Sequence, residues 1–163
     1  MTAVNSALIH PIAPSFLAHS SLCARATRWF GVSHGRLDWG DEGEGAAILA
    51  RGHASIADPA RGFPLLFVGA DSPAAQVFGE DWASGQSGDS GIPDNDAEAL
   101  CTQAYFDVAA NGDRPALHYC KVPFRTFGGS EILLTYHRLL LPFETKTGSR
   151  LIVCVSDLLS FDS

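Results

Sequence analysis

The sequence predicts an α+β domain: a five-stranded antiparallel sheet with helices on one face, preceded by an N-terminal amphipathic helix. Three observations carry this. The last third holds three strand-like stretches, Ala116–Arg125, Glu131–Phe143 and Arg150–Asp157, separated by Phe127-Gly128-Gly129 and Thr147-Gly148-Ser149. Strands that follow one another through such short turns pair antiparallel. A helical stretch, Ala97–Ala110, lies mid-chain, with Asp94, Asp96 and Glu98 at its start and Asn111-Gly112 at its stop. Two shorter strand candidates, His53–Asp58 and Phe63–Gly69, precede it. The helices therefore fall in the middle of the strand order and must cover one sheet face.

The remaining elements follow in chain order. Residues 1–14 are punctuated by proline and are expected to be loose. Residues 15–30 read as the amphipathic helix, with Ser15 as N-cap and Gly31 as a left-handed stop. Phe16, His19, Cys23, Ala26 and Phe30 share one face of it, flanked by Leu22 and Trp29. Residues 31–45 are a glycine-rich, acidic connection. Pro64 suits the first position of an edge strand. Ser72–Phe78 reads as a short helix, with Ser72 capping, Pro73 at its first position and Gly79 ending it. Residues 83–96 are polar and glycine-rich, a surface loop. The main domain is expected over residues 46–160.

Composition excludes several classes. The chain has 163 residues, 46% apolar and 18% charged, which fits one globular domain. No apolar run is long enough to span a membrane as a helix. A net charge of −7 argues against a phosphate-binding surface for nucleic acid. The N-terminal apolar stretch is broken by His10, Pro11, Pro14 and His19 before the first arginine, Arg25, and is not an export signal. Cys23, Cys101, Cys120 and Cys154 form no CxxC pair and read as reduced core residues. A cytoplasmic location is expected.

The strand and helix order, together with GFPLLFVGADSPAAQVFGEDW and EILLTYHRLLLPFETKTGSRLIVCVSDLL, resembles the PAS domain family, in particular bacterial stand-alone PAS regulators. The most specific part is YxRLLLP (Tyr136, Arg138, Leu139, Leu140, Leu141, Pro142) with the Gly148 turn, and the likeness covers about residues 50–160. The resemblance implies a non-enzymatic signalling module that holds a small molecule, or nothing, between the sheet and the central helices. It implies docking to a partner protein, a sensor histidine kinase or a polar scaffold, with a location at a cell pole by analogy alone. No output segment is read after the last strand, so docking is the expected mode of action.

Ligand-pocket candidates are His53, Leu100, Tyr105, His118, Tyr136 and Arg138. Tyr136 and Arg138 share one strand face, but alternation alone does not say which face is inward. Inward, the arginine would select a carboxylate or phosphate; the cost of burying it unpaired favours outward. Leu139 and Leu141 leave an apolar sheet face that, with Phe16, Leu22 and Trp29, could bury itself in a homodimer; the alternative is that the N-terminal helix covers its own sheet. No cofactor is assigned. Cys101 lies in A-L-C-T-Q rather than the N-C-R-F context of flavin photosensors, and helix 97–110 has no histidine for haem, although His118 and His137 are conceivable ligands. His118 and Cys120 point to one strand face, half a zinc site, with His53 or His137 needed to complete it; ordinary packing is the simpler reading. Gly88-Asp89-Ser90-Gly91-Ile92-Pro93 has no partner segment that would make its serine a nucleophile. Gly40, Gly43 and Gly45 lie among Asp41, Glu42 and Glu44, which would repel phosphate. The alternative class is a small-molecule enzyme or carrier on an α+β cone-like fold, with His118 or His137 at the floor of a pocket.

Overall fold

The computed structural model describes residues 7–38, 43–78, 95–125 and 129–162. The strands are β1 (Leu8–Pro11), β2 (Arg36–Leu37), β3 (Gly52–Ile56), β4 (Leu65–Val68), β5 (Ala116–Arg125), β6 (Glu131–Thr145) and β7 (Arg150–Asp162). The helices are α1 (Leu22–Ser33), α2 (Glu44–Leu49), α3 (Pro73–Phe78) and α4 (Asn95–Asn111), with 3-10 turns at Pro14–Phe16 and Pro59–Arg61. The GDSGIP loop lies outside the described residues, as do residues 39–42.

The sheet is largely antiparallel and has seven strands, not five, in the order β1-β5-β6-β7-β3-β4. The five expected strands are all present. The two additions come from segments whose own sequence signal is weak. β1 arises in the stretch expected to be loose: it lies along β5, Leu8 opposite Lys121 through Pro11 opposite His118, at an edge where proline costs no ladder bond. β2 runs parallel to β6 at Glu144–Thr145, past the point where β5 has ended at Ala116 opposite Leu140.

The N-terminal helix also differs from expectation. It begins at Leu22, not Ser15, and runs through Gly31 to Ser33. Ser21 is the N-cap, its Oγ accepting from the Ala24 amide at 3.1 Å. The carboxylate of Asp157, on β7, accepts from the first two helical amides, Leu22 at 2.9 Å and Cys23 at 2.8 Å. Those donors have no partner inside the helix, so a carboxylate there both satisfies them and complements the helix dipole. His34 in the left-handed conformation closes the C-terminus. α2 was not anticipated. It is a short helix tied to α1 by the Arg25–Glu44 ion pair and by Gly45, where an added Cβ would stand 2.8 Å from Trp29 Nε1.

Both sheet faces are covered. Alternation sends Leu139, Leu141 and Phe143 of β6 and Leu151, Val153 and Val155 of β7 to one face, where they pack with Leu22, Ala26 and Trp29 of α1 and Ile48 of α2. Phe143 sits against Trp29 (ring centroids 4.7 Å apart) and Phe30 (5.1 Å). The opposite face, with Leu140, Ile152 and Cys154, packs under Ala104 and Val108 of α4. Cys120, Val122, Phe124, Ile132, Leu134 and Tyr136 continue it towards Cys101.

That packing corrects the expected interface. Leu22, Trp29, Leu139 and Leu141 are buried against one another within the chain, because α1 covers its own sheet. Phe16 alone of that set is exposed, at 74%.

Candidate functional site

A row of polar and thiol side chains crosses the sheet beneath α4. Strand register builds it. His53 on β3 lies opposite Cys154 on β7, His118 on β5 opposite Arg138 on β6, and Cys120 on β5 opposite Tyr136 on β6. Directly opposed residues point to the same face, and here that face is the one α4 covers. From above, α4 contributes Cys101 and Tyr105, four residues apart and hence neighbours on the helix surface. Tyr136 and Arg138 therefore point inward, against the outward orientation that the cost of burial favoured; Arg138 is 3% exposed.

The contacts divide into two linked groups. In the first, His53 Nε2 and the Tyr105 hydroxyl are 3.2 Å apart, and Cys154 is the cross-strand partner of His53. In the second, Arg138 Nη1 donates to the Cys101 carbonyl at 3.2 Å and Nη2 faces His118 Nδ1 at 3.5 Å. The Tyr136 hydroxyl and the Cys101 thiol are 3.9 Å apart. Arg138 Nε is buried and has no hydrogen-bond partner.

The electrostatics follow from burial and from this one cation. Burial and the Arg138 charge lower His118 to about 4, with Asp107 opposing them, so its ring is neutral at pH 7. With Nδ1 facing an arginine that can only donate, the proton belongs on Nε2. Burial pushes Cys120 up to about 12 and raises Tyr136 and Tyr105. Cys154 behaves differently. Burial alone would raise it, but His53, Arg138 and the Tyr105 hydroxyl outweigh burial and hold the thiol below its usual range. His53 is raised in turn by Cys154, although burial works against its charge.

Of the six residues expected at a pocket, His53, His118, Tyr136 and Arg138 thus lie on the sheet face under α4 and Tyr105 on α4 above it; the side chain of Leu100 lies outside the described residues. The thiols of Cys101 and Cys154 were missed as partners. Alternation puts Tyr136 and Arg138 on one face, but pairing across strands is needed to place Cys154 beside His53 and to bring that face under α4. Among the described residues, no three of His, Cys, Asp and Glu are placed to hold a metal ion, and His118 faces Arg138 rather than a second ligand. A surface groove of about 370 Å³ opens elsewhere, between Leu37, Ile56, Thr147 and Leu151, and no residue of the cluster lines it.

Fold and site together define an α+β protein with helices on both faces of an antiparallel sheet and a buried polar cluster under one of them. Among the described residues, no helix is long and apolar enough to cross a membrane. No protein-family model, curated protein or solved structure matches the chain.

Proposed function

We propose that this chain is a non-enzymatic, PAS-type regulatory module that binds a small ligand between its sheet and α4 and passes the bound state to a partner protein. The observation that carries the reading is the polar cluster itself. Buried polar side chains are costly unless they serve a network or a ligand, and these occupy the place that the family resemblance assigns to a ligand. The order of elements supports the same reading: β3 and β4, then α3 and α4, then β5, β6 and β7, with β3 lying between β4 and β7.

Docking is proposed to run through the far end of β7. Residues 156–162 extend beyond β3, which pairs only with Leu151–Val155, and they keep β6 on one side. Leu158, Leu159 and Phe161 are exposed there, and the register slips by one residue at Leu159, as in a β-bulge. An overhanging strand edge of this kind suits strand addition by a partner, whether a histidine kinase, a scaffold or a second copy.

Native mass spectrometry of freshly purified protein tests the ligand reading. The expected result is an added mass that disappears on denaturation. Protein that shows only its bare chain mass, and gains none when mixed with a small-molecule extract, overturns it.

One observation favours a second reading, an enzyme or carrier. Cys154 lies opposite His53 across β3 and β7, and the His53 imidazole, 3.2 Å from the Tyr105 hydroxyl, lowers the pKa of the thiol, a pairing also suited to nucleophile activation. A turnover abolished by Cys154→Ser with the fold retained would put this reading first.

A further inference from the structure

Among the described residues, Arg138 is the one whose buried side chain keeps an N–H without a partner. A guanidinium cannot shed its charge in a protein, and taking it out of water is expensive unless an anion faces it. Its partners are neutral: a backbone carbonyl at Nη1, an unprotonated imidazole nitrogen at Nη2 and nothing at Nε. The titratable groups that act on it most strongly are Cys120, Tyr136, Cys101 and Cys154, thiols and a phenol rather than carboxylates. The chain has 18 acidic residues against 11 basic ones. Even so, the carboxylate nearest in sequence register is directed elsewhere: Ser156 lies opposite Arg138, and the next residue, Asp157, turns to the other sheet face to hold the α1 amides.

We infer that Arg138 is the ligand-selecting residue of an oxyanion site, and that the small molecule held beneath α4 carries a carboxylate or a phosphate. The free Nε–H and the adjacent Nη2–H form the planar pair of donors that two oxygens of such a group accept side by side. The neutral ring of His118, 3.5 Å from Nη2, and the phenol of Tyr136, two residues away on the same strand face, add no negative charge to compete. This rests on the ligand-binding reading above and adds the ligand's chemical class.

The test is thermal unfolding and calorimetric titration of the whole chain with succinate, citrate and inorganic phosphate, against sodium chloride at matched ionic strength. Three proteins are compared: wild type, Arg138→Met and Arg138→Lys. The expected result is a saturable rise in Tm for wild type with at least one oxyanion. Arg138→Met should lose it, and Arg138→Lys, which keeps the charge without the fork, should weaken binding about tenfold or more. A response to the carboxylates alone, or to phosphate alone, assigns the class. Silence of wild type to all three probes, or an undiminished response in Arg138→Met, overturns the proposal. Should Arg138→Met fail to fold, Arg138→Lys decides by the same criterion. A neutral compound in the native mass spectrum, with no oxyanion response, sinks this proposal and leaves the ligand-binding reading standing. A bare chain mass with no oxyanion response sinks both.

Discussion

The same three strands, β3, β6 and β7, present two chemically opposite faces. Towards α1 they give Ala54, Leu139, Leu141, Phe143, Leu151, Val153 and Val155, an apolar surface closed by Trp29 and Ile48. Towards α4 they give His53, Tyr136, Arg138 and Cys154 among Leu140 and Ile152. Residues one apart in sequence, Leu139 and Arg138, thus serve different ends. Close-packed apolar groups on the α1 side stabilise the fold, because burial contributes about 25 cal/mol per Å² there with no polar group to desolvate. The α4 side spends part of that gain on buried polar groups, which is tolerable only because the other face is so well packed.

The comparison can be broken or sharpened by substitution. The largest effect is expected on the apolar face. Phe143→Ala removes a ring packed against Trp29 and Phe30 and should cost about 3–5 kcal/mol in urea unfolding. A cost below about 1 kcal/mol would mean that this face is not the stabilising one. Next is Asp157→Ala, which strands the Leu22 and Cys23 amides at the start of α1. It should cost about 1–2 kcal/mol by the same measurement. Smaller still is Arg138→Met. If the guanidinium is uncompensated, replacing it by an apolar chain of similar length leaves stability unchanged or raises it. A loss of about 3–5 kcal/mol would instead show a charge already paired within the chain.

The last expected effect is confined to pH. His118 has a folded pKa of about 4, below the 6.5 of the unfolded chain. Between those values the unfolded chain binds the extra proton. The His118 contribution is therefore complete above pH 6.5 and is lost as pH falls towards 4. His118→Gln should flatten the pH dependence of urea unfolding in that window. An unchanged slope would mean that the imidazole titrates normally.

Much of the fold was legible. The strands 116–125, 131–143 and 150–157 are strong because alternating apolar residues and Gly turns are local signals. The helix 97–110 and the cap at Ser72, whose Oγ accepts from the Ala75 amide, are local as well. What escaped was non-local. β1 and β2 exist because β5 and β6, respectively, offer unpaired edges, not because LIHP or RL favours extended backbone. α1 starts at Leu22 because a carboxylate 135 residues away meets its first amide. α2 exists only where Gly45 fits beneath Trp29.

The site divides in the same way. The sequence alone determined which residue types share a face: Tyr136 with Arg138, His118 with Cys120, and Leu139 with Leu141, since the strand period of two leaves no choice. It also determined that a small, acidic α+β chain carried one arginine inside its longest strand. Which of those faces met α4 and which met α1 was a matter of tertiary structure, because both were apolar enough to be buried and only the packed helices distinguish them. Only the fold could set Cys154 beside His53 and, among the described residues, leave Arg138 without a carboxylate, since strand pairing joins residues that lie about a hundred positions apart.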